Sequence, residues 1–156
     1  MLGCDVMLTD LILAILHHLA IACLIVLLGF EFALLRPGIT PENLARAAKA
    51  DAAYGATAAL VIVIGVCRVV FGIKGAGFYL SNPWFWAKMG SFAAIGLLSI
   101  PPTLALLKWR KAARQDGNFV PAHSEIARLR VFVHAEVALL GLVVIFAAAM
   151  ARYGGF

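Results

Sequence analysis

Two adjacent histidines, His17 and His18, interrupt the apolar run "LTDLILAILHHLAIACLIVLLGFEFALL" near the start of the chain. They belong to a short set of ionisable residues in apolar surroundings, the others being Glu31, Asp51, Arg68, Lys88, His134 and Glu136. A charge placed at the middle of a bilayer costs about 2.5–3.5 kcal/mol on insertion scales, so each such residue needs a reason. Neutral imidazoles are good ligands for haem iron and other transition metals. This makes His17, His18 and His134 the candidate metal and cofactor ligands. Cations can hold carboxylates in charge-assisted hydrogen bonds. Arg68 and Lys88 are therefore the candidate contacts for haem or porphyrin propionates and, in an enzyme, the candidate catalytic residues that position an acidic substrate. Copper would gain little from the two cations, and no Met-rich capture motif is present. Tyr54 lies on the same helical stripe as Arg68 and joins the cofactor-binding candidates. The acidic residues Glu31 and Asp51 offer a second chemistry, a proton or metal-ion pathway.

The elements that would hold these residues follow from composition. The 156 residues are 63% hydrophobic and only 13% charged, against about 45–50% and about 25% in soluble domains. Apolar stretches over about 10–35, 50–73, 84–108 and 123–152 each exceed the roughly 20 residues that cross a bilayer core. In lipid the backbone must satisfy its own hydrogen bonds, so the fold class is all-α: one polytopic membrane four-helix bundle spanning residues 1–156. Basic residues cluster in the first loop (Arg36, Arg46, Lys49) and the third (Lys108, Arg110, Lys111, Arg114, Arg128, Arg130), with only Lys74 in the second. The positive-inside rule then predicts N-out/C-out topology in a bacterial inner membrane. The net charge of +5 is explained by this topology and by anionic lipid; no nucleic-acid motif accompanies it. The N-terminal flank lacks the basic region of a signal peptide, and Met7 is an alternative natural start. Cys4, Cys23 and Cys67 have no metal-type spacing and read as small apolar filler.

Finer expectations concern boundaries and facing. Thr9 or Asp10 is expected to cap the first helix, and Thr40-Pro41-Glu42-Asn43 to open a short amphipathic segment before the second. Tyr79, Trp84 and Trp86 suit an aromatic belt. Pro101-Pro102 should kink the third span in its cytoplasmic half. Counting rise places His17 and His18 roughly 10–13 Å from the outer end of helix one, level with Arg68 and Lys88. His134 and Glu136 are deeper and about 160° apart on helix four. One of the two histidines is expected to face the bundle more directly. Gly29 lies on the His18 side, which makes that face the expected close-packed one, and the choice between His17 and His18 stays open. Glu31, near the cytoplasmic end, is expected to meet Arg36 or interfacial water.

Several motifs carry a resemblance. "DAAYG" at 51–55, "GVCR" at 65–68, "KGAGFYLSNPWFWAK" at 74–88 and the paired histidines resemble an uncharacterised bacterial four-helix membrane family. Trp84 and Lys88, Leu35-Arg36 and a first-helix histidine are also distantly similar to HemJ-type protoporphyrinogen oxidases, four-helix proteins of haem biosynthesis. That resemblance implies haem b, a porphyrin or quinone partner and an oxidoreductase activity, with Lys88 and His17 or His18 as functional residues. Trp86 stands where those proteins tend to carry a second histidine. The small size and small-residue faces suggest a homodimer. The leading expectation is thus a membrane haem- or porphyrin-binding protein, the axial ligand coming from His17 or His18 and a second from His134. The alternatives are a small proton- or metal-ion transporter and a non-catalytic membrane subunit.

Overall fold

The computed structural model describes residues 2–117 and 119–153, with backbone alone at 2–4, so Cys4 lies outside the described side chains. It consists of α1 (Leu2–Leu34), α2 (Pro41–Phe71), α3 (Gly75–Leu80), α4 (Pro83–Leu98), α5 (Ile100–Gln115) and α6 (His123–Tyr153), and no strand occurs among the described residues. Four spans are long and apolar enough to cross a membrane: Asp5–Leu34, Pro41–Phe71, Pro83–Gln115 and His123–Tyr153.

Local chemistry explains where the helices begin and break. Thr40 accepts a hydrogen bond from Asn43 N at 3.3 Å and Pro41 occupies the first turn, so α2 starts there and runs unbroken. The short amphipathic segment expected before residue 50 is simply the first turns of α2, because nothing in Glu42–Lys49 interrupts the backbone ladder. Thr9 and Asp10 do not cap α1. The Thr9 hydroxyl donates to Asp5 O inside the helix, and the Asp10 carboxylate reaches across to Ile73 N at 3.4 Å. Asn82 caps α4 through Trp84 N at 2.9 Å. The two prolines do break the third span. Neither can donate to the preceding turn, and the helix is interrupted at Ser99, whose hydroxyl donates to Gly96 O at 2.9 Å. Of the expected belt, Trp84 and Trp86 are exposed and Tyr79 is buried, packed against Phe78 and Phe85.

Packing divides the bundle into two antiparallel pairs. α1 lies along α2, and α4 lies along α6. No Cα of α4 comes within 8 Å of any Cα of α1 or α2. The pairs meet at the end that carries Arg36, Lys108 and Arg130, here the basic end, through α5 against α2 and α1 against α6. The break at Ser99 makes this possible by redirecting α5 toward α2. Most of the buried residues form one core at this end, built around Leu28, Leu35, Leu44, Leu106, Ile126 and Val133. At the opposite end, where α3 lies, Ala20, Val61 and Ile64 form a small second core among the described residues, with Phe92 of α4 against it.

Lipid tails are as apolar as leucine, so apolar burial alone does not hold membrane helices together; packing and interhelical hydrogen bonds contribute directly. Two side-chain hydrogen bonds join the pairs at the basic end. Thr103 of α5 donates to Asp51 of α2 at 2.7 Å, and Arg130 of α6 donates to the Leu35 carbonyl at 2.6 Å. Thr103→Val keeps the shape and removes the first bond. It is expected to destabilise the protein by about 1 kcal/mol, read as a lowered melting temperature in detergent; an unchanged melt would show that the bond does not secure α5.

Candidate functional site

The bundle holds two layers of ionisable side chains. On α1, fourteen residues separate His17 from Glu31, and on α2 fourteen separate Tyr54 from Arg68. At about 1.5 Å per residue each interval is about 21 Å. The layers are therefore too far apart to neutralise each other.

The layer toward α3 is cationic. His17 is half-buried and faces α2, its ring Cε1 lying 3.4 Å from where a Cβ on Gly65 would stand. The ring therefore packs between the two helices at the level of Gly65. Arg68, one turn further along α2, and Lys88 of α4 lie within electrostatic reach of His17. Lys88 also sits over the Phe85 ring at 5.3 Å. The His17 Nδ1 and the Arg68 Nε are both buried, and neither has a hydrogen-bond partner. Among the described residues the one ion pair is Arg46 with Glu42 at the surface, so neither cation is paired with a carboxylate. Buried polar atoms are nearly always satisfied, and an unsatisfied one costs about 1–3 kcal/mol. Two such atoms lie beside the stretch where α4 stands away from α1 and α2.

His18 does not share this layer. About 100° further around α1, it is exposed on the outer surface of the bundle, and its Nδ1 donates to Ala14 O at 2.6 Å. The expected close packing on the Gly29 side is absent: a Cβ at Gly29 would meet nothing within 4 Å. It is His17 that lies in van der Waals range of Gly65 on the facing helix.

His134 is also exposed. Its ring meets Phe32 edge-on at 4.6 Å, and its Nδ1 donates to Arg130 O at 2.6 Å. Phe32 lies fifteen residues beyond His17 on α1, about 22 Å along the axis. His17 and His134 therefore cannot ligate one metal ion, which overturns His134 as a second axial ligand. Tyr54 likewise belongs to the other layer and not with Arg68. No group of three His, Cys, Asp or Glu side chains among the described residues could hold a metal ion.

The layer toward the basic end is acidic. Glu31, Asp51 and Glu136 are 2%, 6% and 2% exposed and come from α1, α2 and α6. Each lies within electrostatic reach of at least one other. Glu31 does not meet Arg36; it is turned inward, and Arg36 is exposed. Asp51 is held by Thr103. The Tyr54 hydroxyl, on a side chain 4% exposed, is directed at Glu136 but closes no hydrogen bond of ordinary length and angle. Three carboxyl groups and a hydroxyl thus face one another without a cation. This convergence was not legible in sequence. Each residue shows only as an isolated acid on its own helix, and Glu136 could have been drawn in only through its phase opposite His134.

Neither curated proteins nor solved structures give a match. A family model for predicted membrane proteins, DUF2214, matches residues 9–155. The matched stretch takes in three spans whole, the first from residue 9, and both layers. The chain is a multi-pass membrane protein, in contact with the lipid bilayer along its spans, and belongs to the DUF2214 family.

Proposed function

We propose that the protein binds haem b or a related acidic tetrapyrrole at the cationic layer between its two helix pairs. The observation that carries this reading is the unpartnered Nδ1 of His17, set beside two cations that have no carboxylate to hold. His17 would supply a single axial nitrogen. Arg68 and Lys88, on opposite walls, would bind the ring carboxylates by charge-assisted hydrogen bonds. Phe92, Ala20 and Ile64 would close the apolar side and exclude water. A bound haem would supply one-electron redox chemistry in a membrane setting, suited to a porphyrinogen or a quinone as partner. The likeness to HemJ-type oxidases points the same way through Trp84 and Lys88.

A hemin titration of the purified protein tests the reading. One saturable equivalent with a Soret band is expected. Hemin with both propionates esterified should bind at least about tenfold more weakly if Arg68 and Lys88 hold the carboxylates. Protein that stays colourless and takes up no hemin would sink the proposal.

One observation favours a second reading. The carboxyl layer of Glu31, Asp51 and Glu136 suits a proton- or cation-conducting site. Flux into liposomes that disappears on replacing Glu31 or Asp51 would support it.

A further inference from the structure

At the basic end an open groove of about 740 Å³ lies between the end of α1 and the first turns of α6. Arg36, His123, Arg130 and His134 line it, and Ala127 and Val131 supply apolar wall. No carboxylate lines it among the described residues. The groove has a fixed framework. Arg130 is tied to the Leu35 carbonyl and lies over the Phe32 ring at 4.5 Å, and His134 packs on the same ring. The side chains of Arg36 and His123 make no hydrogen bond or ion pair with any described residue. The groove thus has two arginines and two histidines with no anion to match them.

We propose that this groove seats the phosphate of an anionic phospholipid. The groove is open rather than enclosed, and it flanks a surface whose residues are exposed and apolar, Val131 being 67% exposed. A headgroup phosphate can lie between Arg36, His123 and Arg130 while its acyl chains leave sideways along α6. Basic pockets between membrane helices recognise phosphate headgroups in this way. A free phosphate would use the same cations but gain nothing from the apolar wall. The inference is independent of the tetrapyrrole reading, since the groove and the His17 layer stand at opposite ends of the bundle.

Native mass spectrometry of the detergent-purified chain tests it, with phosphatidylglycerol and phosphatidylcholine of identical acyl chains as probes. Phosphatidylglycerol should be retained at no more than about a tenth of the concentration needed for phosphatidylcholine. Arg36→Gln with His123→Gln removes no internal bond. It should cut that preference by about fivefold or more without changing the melt of the delipidated protein. Equal retention of the two lipids, or a preference unchanged in the double variant, would overturn the site. Inorganic phosphate is the third probe. Failure to displace phosphatidylglycerol at millimolar concentration is expected, and displacement would reassign the groove to free phosphate.

Discussion

His17→Ala should abolish hemin binding, with the Soret band lost, while His18→Ala should leave it within about twofold. The two residues are neighbours in sequence with the same side chain, so a general effect of removing an imidazole from α1 would appear in both variants. The structure separates them. His17 lies against Gly65, with Arg68 and Lys88 nearby and its Nδ1 unpartnered. His18 points to the outside of the bundle and has its Nδ1 engaged with the helix backbone. If His17 holds the iron, its loss would remove the coordinate bond altogether. Loss of one propionate contact removes a charge-assisted hydrogen bond of about 1.5–3 kcal/mol, so Arg68→Gln should weaken binding by about ten- to a hundredfold and keep the spectral shape. If His18→Ala is the variant that loses the band, the lipid-facing surface and not the cationic layer binds the haem. If neither loses it, the iron has no histidine ligand on α1.

The second large effect has the opposite sign. Glu31→Met and Glu136→Met should each raise the melting temperature of the purified protein, corresponding to about 1–4 kcal/mol. Each carboxyl is buried among other carboxyls with no cation to offset its removal from water. A thioether of similar length fills the space without polar atoms to satisfy. The same variants should lose any proton-linked turnover or flux, because the group that binds the proton is gone. Stability gained together with activity lost is the behaviour of a functional site that the fold tolerates and does not need. Destabilisation by both variants would show instead that the carboxyls hold the helices together. Asp51→Ala is the contrasting case, because Asp51 accepts the Thr103 hydroxyl across the two pairs; it should lower the melting temperature.

Much of this protein follows from sequence because the bilayer restricts what a chain can do. Long apolar runs must be helices, so the four spans and the break at Pro101-Pro102 are dictated locally. The level of His17 with Arg68 and Lys88 is also a matter of counting rise along antiparallel helices. Which side of a helix faces a neighbour is different. An apolar residue is equally acceptable to lipid and to the bundle core, so hydrophobic patterning has little power to tell the two apart. Sequence therefore left His17 and His18 open, with Gly29 favouring the His18 face, whereas in the structure His17 is half-buried against α2 and His18 is exposed. Tyr54 shared a stripe with Arg68 but lies about 21 Å from it along α2, among carboxyls contributed by two other helices. The gathering of Glu31, Asp51 and Glu136, and the basic groove at the other side of α6, depend on how the pairs are set against each other. That setting comes from the redirected α5 and from the Thr103 and Arg130 hydrogen bonds. Sequence alone determined the spans, the kink and the place of each ionisable residue along its helix, because lipid and backbone geometry impose them one helix at a time. Only the tertiary structure decided which of those residues meet, because contact depends on helix rotation and pairing, which an apolar solvent leaves to specific packing and polar bonds.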